Sequence, residues 1–358
     1  MIIRLTKIGV LFALLFCISV PMSAQEDTEA PADSSKEDNF DFVPVPYISY
    51  NRSVGAMLGA LPMAMYKINP DDTISPSSIT GILGLYTTND TWLAMTFSKL
   101  YFLEDRWRVV FAAATGTFNF QFFVADPINQ HIDYGTDMVF AKIEVQRRVV
   151  EDLYFGFNYN YSNFVNQFEL GPGFDTTTTL QGVGAILTYD IRDNVYYPET
   201  GYLANLRYDS YPEAFDNIQT SQKITLDYQQ FWSQGEKNVI AARAFGGFGI
   251  GDVSFNQQFI VGNIDLRGYT QGTYRGDQMM AVQGEYRWNF YNKMSAVGFG
   301  GVASVFNGIN SEFDGRLLPA VGVGFRYVVF EENHMNVGLD AAVGDGDWGI
   351  YFRIGEAF

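Results

Sequence analysis

The chain has one cysteine, Cys17, and two histidines, His131 and His334, among its 358 residues. Cys17 lies in the apolar stretch at the start. Without that stretch there is no thiol, hence no internal disulfide, thiolate nucleophile or cysteine metal site. A lipoprotein reading of Cys17 needs a small residue before it, and Phe16 is large. His131 is expected in an outer loop and His334 at a turn, neither with a serine and an acid at a matching strand position. No enzyme activity is therefore expected, and two histidines at opposite ends of a fold do not make a metal site. No cofactor is expected either.

Long apolar runs are also missing beyond the first two dozen residues. Arg4 and Lys7, the apolar core Ile8 to Val20, and Pro21-Met-Ser-Ala24 read as a secretory signal peptide, residues 1–24. That core is short for a membrane helix. Positive charge is scarce: 23 Lys and Arg stand against 40 Asp and Glu, for a formal charge of −17. Removing the segment with Arg4 and Lys7 makes it more negative by two. Nucleic-acid binding is excluded on this ground, because phosphate needs a basic surface. Residues 25–41 carry Glu26, Asp27, Glu29, Asp33, Glu37, Asp38 and Asp41 against Lys36 alone, the pattern of a disordered acidic leader or a docking tail.

From Phe42 onward a helical period is almost absent, and apolar and polar residues alternate instead. In Asp277 to Phe290, Met280, Val282, Tyr286, Trp288 and Phe290 lie on one side. Gln283, Glu285, Arg287 and Asn289 lie on the other. Ser221 to Trp232 repeats the pattern. Aromatics make up 16% of the chain and cluster near segment ends, as lipid-facing girdles do. Sixteen such segments run from 42–51 to 347–357. Connections after 149, 233, 291 and 330 are short, and the long ones, 120–133, 166–176 and 251–276, all fall at the opposite end. This predicts an all-β fold, a sixteen-stranded transmembrane antiparallel β-barrel over 42–358, in the outer membrane with lipid around it. Pro44 and Pro46 weaken the first strand. The last segment ends on bare aromatics. A soluble sheet edge of that kind invites aggregation, whereas a closed barrel has no free edge.

Two constellations stand out. In the long loop, Ile264-Asp265-Leu266-Arg267-Gly268-Tyr269 sets an arginine between an apolar residue and a glycine. A loop folded into the lumen would pair Arg267 with inward Glu285 or Asp340; an exposed loop arginine is the alternative. Asp190-Ile-Arg192-Asp193-Asn194, followed by Pro198 and Gly201, puts Asp190 and Arg192 on one inward face before a turn.

The order of these motifs resembles the BamA/TamA-type outer-membrane assembly-factor superfamily, also called bacterial surface antigens. The matching residues are Asp190, Arg192, Asp193, Pro198 and Gly201; then Leu266, Arg267, Gly268 and Tyr269; then Glu285. The terminal Gly349, Phe352 and Ile354, with Phe358 at the end, resemble the barrel-assembly signal. The resemblance implies a sixteen-stranded barrel and an inward loop whose arginine meets acids on the wall. It also implies a weak seam between first and last strands that opens sideways to insert or translocate client polypeptides. Two departures follow. Residues 25–41 are too few for the periplasmic receiving domains such proteins usually carry, which leaves a barrel that kept the scaffold and changed its task, or one that borrows the domains of periplasmic partner proteins. Gly301, in Phe299-Gly-Gly-Val-Ala303, stands where an acid usually faces the arginine, leaving Glu285, Asp340 or neither. A passive pore is the rival reading. Lys142, Arg148, Arg207, Lys223, Arg287, Arg326 and Arg353 would share its wall with Glu144, Asp190, Asp209, Asp227, Glu285 and Asp340.

Overall fold

A computed structural model describes residues 40–52, 54–124, 129–169, 173, 175–235, 237–262 and 264–358. The signal peptide and all but the last two residues of the acidic leader lie outside the described residues.

Strands β1 (Phe40–Asn51), β2 (Gly55–Tyr66), β3 (Ser78–Thr87) and β4 (Trp92–Phe102) begin the fold. A tall hairpin follows, β5 (Trp107–Val124) and β6 (Gln130–Val150). Next come β7 (Leu153–Phe168), β8 (Thr176–Asp190), β9 (Gly201–Tyr211), β10 (Ser221–Gln234) and β11 (Asn238–Gly251). The loop after β11 carries a two-residue hairpin, β12 (Phe259–Ile260) and β13 (Arg275–Gly276). The wall resumes with β14 (Gln278–Tyr291), β15 (Met294–Phe306), β16 (Leu318–Phe330), β17 (Met335–Val343) and β18 (Trp348–Ile354). Leaving out β12 and β13, sixteen strands pair antiparallel with their neighbours, and β18 returns to β1 to close a barrel.

The period-two pattern sets the faces. On β14 the outward Met280, Val282, Tyr286, Trp288 and Phe290 are exposed, while inward Gln283, Glu285 and Arg287 are buried. An exposed apolar band and a charged interior are the reverse of a soluble core. They fit a wall with lipid on one side and polar lumen on the other.

Three boundaries differ from the expectation. β1 begins at Phe40, so Phe40 and Asp41 belong to the wall and not to the leader. The expected outer loop 120–133 is mostly strand, because β5 and β6 stay paired out to Val124 and Gln130. Cross-strand aromatics such as Phe120 and Tyr134, 5.8 Å apart, support that extension. His131 therefore lies within β6, with its ring 5.1 Å from Phe123. The last segment does not run to 357. β18 stops at Ile354, where Gly355 turns the chain with φ +71°.

Candidate functional site: the lumen loop and the closing seam

Loop 252–277 leaves the long-loop end of the wall and packs back inside it. Leu266 joins a buried cluster with Val261, Met279, Ala303, Val305 and Leu318, from the loop and the inner faces of β14 to β16. Gly268 has φ +109°, and a Cβ there would sit 2.8 Å from the Val343 carbonyl carbon. Only glycine lets the loop backbone lie this close to the end of β17. Tyr269 donates its hydroxyl to the Pro319 carbonyl at 2.6 Å. The Gly268 N–H donates to the Tyr351 hydroxyl at 2.9 Å, and the Thr270 N–H donates to Asp347. The loop is thus tied to β18 and the turn before it.

Arg267 is fully buried. Its Nη1 donates to Asp340 Oδ2 at 2.5 Å, its Nη2 lies 3.5 Å from Glu285, and its guanidinium carbon lies 3.3 Å from the centre of the Phe299 ring. Both acids named from the sequence contact the arginine, and Phe299 supplies a face for the cation. Gly301 makes room instead: a Cβ there would meet the Val282 carbonyl oxygen at 2.5 Å and the Leu266 side chain at 3.1 Å.

Sequence reasoning missed the rest of this network. Asp340 is shared by three guanidiniums, those of Arg267, Arg326 and Arg353. Glu285 also binds Arg287 at 2.8 Å. Glu356, in the segment read as terminal strand, sits between Arg326 and Arg287 at 3.2 and 3.6 Å, with Asn336 donating to it at 2.6 Å. Its one sequence signal was an acid directly after a glycine. The Phe358 backbone oxygen accepts from Arg287 at 2.9 Å, and the Phe358 ring packs against Tyr197, Phe231, Val239 and Ala241. Phe358 thus lies inside the barrel mouth and not on a lipid-facing strand, because Gly355 turns the tail inward.

The second constellation shapes the same mouth. Asp190 accepts from Arg192 Nε at 2.8 Å and from Arg108 Nη1 at 2.7 Å. Asp193 Oδ1 accepts the N–H groups of Glu199 and Thr200, closing the turn. Gly201 has φ +89°, and a Cβ there would meet the Ile191 carbonyl oxygen at 2.1 Å. The turn crosses to the far wall, where Tyr196 donates to the Ser77 carbonyl at 2.5 Å. Arg287 joins the two constellations, since its Nη1 donates to the Pro198 carbonyl at 3.1 Å.

The closing seam has the fewest register pairs of any joint in the wall, and Ser49 Oγ also donates across it to the Ile350 carbonyl at 2.7 Å. β1 pairs with β2 along its whole length, Phe40 to Asn51. It pairs with β18 only at Tyr50 with Ile350 and Asn51 with Gly349. Prolines 44 and 46 have no N–H to give a ladder. Tyr50 stacks on Trp348 at 5.0 Å beside the paired residues, and in the unpaired stretch Tyr47 lies 4.9 Å from Phe352. Phe352 and Ile354 are half-buried here, not lipid-exposed as strict alternation would make them. Gly349 is buried on the inner side.

A closed sixteen-stranded antiparallel barrel with an exposed apolar band is the architecture of a transmembrane β-barrel protein. The Omp85 superfamily domain matches residues 78–358, and the chain belongs to that superfamily. Its fold is similar to BamA from Haemophilus ducreyi lacking POTRA domains 1–3, at 12% identity and TM-score 0.57, covering 88% of this chain and 70% of that one. It is also similar to CdiB from Acinetobacter baumannii, at 14% identity and TM-score 0.61, covering 88% of this chain and 60% of that one. CdiB from Escherichia coli is 10% identical with TM-score 0.61, covering 90% and 63%. The chain thus spans less than two thirds of either CdiB. No curated protein matches it.

Proposed function

We propose that this barrel assists the insertion or translocation of polypeptides through a lateral opening between β1 and β18. The observation that carries this reading is the seam. Two register pairs hold it, where each neighbouring joint is a long ladder. Opening such a joint breaks few backbone hydrogen bonds, each worth about 0.5–1.5 kcal/mol net. Arg267 and its acids serve as the fixed side of the hinge, holding the loop against β16 to β18 while β1 moves. On this reading the short-turn end faces the periplasm.

The test is a lock. Cys17 is the only native cysteine, so Tyr50→Cys with Ile350→Cys has no competitor within 40–358. Oxidised, the pair is expected to abolish client insertion in reconstituted vesicles while the barrel keeps its folded gel mobility; reduction restores activity. Full activity in the locked protein rules the seam out.

A passive pore is the second reading. A polar lumen cavity of about 420 Å³, lined by Lys99, Arg108, Lys142, Glu144, Asp190 and Arg207, favours it. A large, steady bilayer current, unchanged by Arg267→Ala, would select the pore.

A further inference from the structure

Behind the seam lies a cavity of about 210 Å³ that neither reading uses. Met57, Leu85, Leu93 and Phe118, from the inner faces of β2 to β5, form the apolar part of its lining, and Ser49, Thr91, Gln271 and Tyr351 contribute polar groups. Tyr47 and Phe352 line it on the seam side. These are the two rings that bridge the unpaired stretch of β1 and β18. The cavity therefore abuts the one part of the wall where no backbone ladder separates lumen from lipid.

One cation lines this space, Arg353. Like Arg267 and Arg326, it has a buried guanidinium nitrogen with no hydrogen-bond acceptor among the described residues. Arg267 has Glu285 besides Asp340, and Arg326 has Glu356 besides Asp340. Arg353 has only Asp340, already shared three ways, through a long 3.3 Å contact at Nε. Its Nη2 is buried and has no protein acceptor. A guanidinium whose one acid is shared with two other arginines gains from a further anion on its cavity side.

We propose that this cavity binds a monocarboxylate with an apolar or aromatic body, its carboxylate on the Arg353 guanidinium and its body against Leu85, Leu93 and Phe118. Size and charge select this class. The cavity is smaller than the roughly 300–1,000 Å³ of ordinary ligand pockets and holds about one large side chain. Arg353 is the one charged side chain among the described residues of a lining that also carries Ser49, Thr91, Gln271 and Tyr351, and it matches one negative charge. A phosphate dianion would leave its second charge buried without a partner. The same chemistry has two natural sources: a free fatty acid arriving from the bilayer, and the terminal residue of a polypeptide. The site stands whether or not a client passes the seam.

The experiment uses the full chain in lipid nanodiscs, with fluorine NMR of 4-fluorophenylpropionate and of its amide as probes. Saturable binding of the acid is expected, with the amide at least about tenfold weaker. Arg353→Gln is expected to weaken the acid by at least about tenfold, and Arg353→Lys to restore part of it. Leu93→Trp, which fills the cavity without touching the ion network, is expected to abolish binding in a barrel that keeps its folded gel mobility. Laurate and a tripeptide ending in Phe with a free carboxylate are then added as competitors, and the tighter displacer identifies the source. Equal binding of acid and amide, or acid binding that survives both Arg353→Gln and Leu93→Trp, overturns the proposal.

Discussion

Arg267 and Asp340, 73 residues apart in sequence, meet at 2.5 Å inside the barrel with both side chains fully buried. Two more arginines converge on the same carboxylate. Removing one partner of such a pair leaves an uncompensated buried charge, at a cost of about 3–5 kcal/mol. Asp340→Ala is therefore expected to lower barrel stability by that order and to free loop 252–277. Limited proteolysis of the loop and the temperature at which folded gel mobility is lost measure both effects. An unchanged cleavage rate would mean the loop is held by its apolar contacts alone.

Arg267→Ala probes the same contact from the loop side. It removes the cation stacked on Phe299 as well as the ion pairs. Faster loop cleavage and lower folded yield are expected, with the wall strands keeping their protection. Because both substitutions break one network, the double variant is expected to cost less than the sum of the two. Strict additivity would place the two residues in separate interactions.

Glycines 201 and 268 test the close approaches. Each has positive φ, and an added Cβ would strike backbone atoms that cannot move aside. Ala at either position is expected to cost more than about 1 kcal/mol. Gly346 also has positive φ (+73°), but nothing lies within 4 Å of its would-be Cβ. Gly346→Ala should therefore carry backbone strain without a clash and cost less than either. Equal losses at all three in thermal melts would remove the close-approach explanation.

A pH dependence is expected outside the membrane-spanning wall, in the turn after β2. Burial pushes the Asp72 carboxyl up. Stronger hydrogen bonds from the Ser75 hydroxyl and from the N–H groups of Ser75, Glu104 and Ile74 hold it well below the usual range. The folded state then binds protons less readily than the unfolded one. The contribution of Asp72 is full above the unfolded value of about 3.9 and fades as pH falls toward the folded value. Wild type should exceed Asp72→Asn in thermal stability at pH ~7, and the gap should narrow below pH ~4. A gap that widens in acid would contradict this assignment.

Much of the wall was legible because a strand has a period of two, and every second residue must answer to lipid. Met280 to Phe290 declared their face without any tertiary information. The motif Leu266 to Tyr269 was legible as a loop that needs a partner, and Glu285 and Asp340 as inward acids. What could not be read was convergence. Nothing in the sequence says that Arg326 and Arg353 share Asp340, since that depends on barrel register. Nor could alternation foresee the tail. Gly355 breaks the strand, and Glu356 and Phe358 then follow the lumen network rather than the lipid face. The 120–133 segment was misread because its polar and turn residues outweigh the aromatic pairs that hold β5 to β6.

The weak seam is tested most directly by hydrogen exchange on the native barrel in a bilayer, read at the backbone amides of β1 and β18. The β1 amides that face β2 should be protected, while those of β1 and β18 facing each other beyond Tyr50 and Ile350 should exchange much faster than any interior ladder. Uniform protection around the wall, with the β1–β18 joint as slow as β5–β6, would contradict a seam able to open.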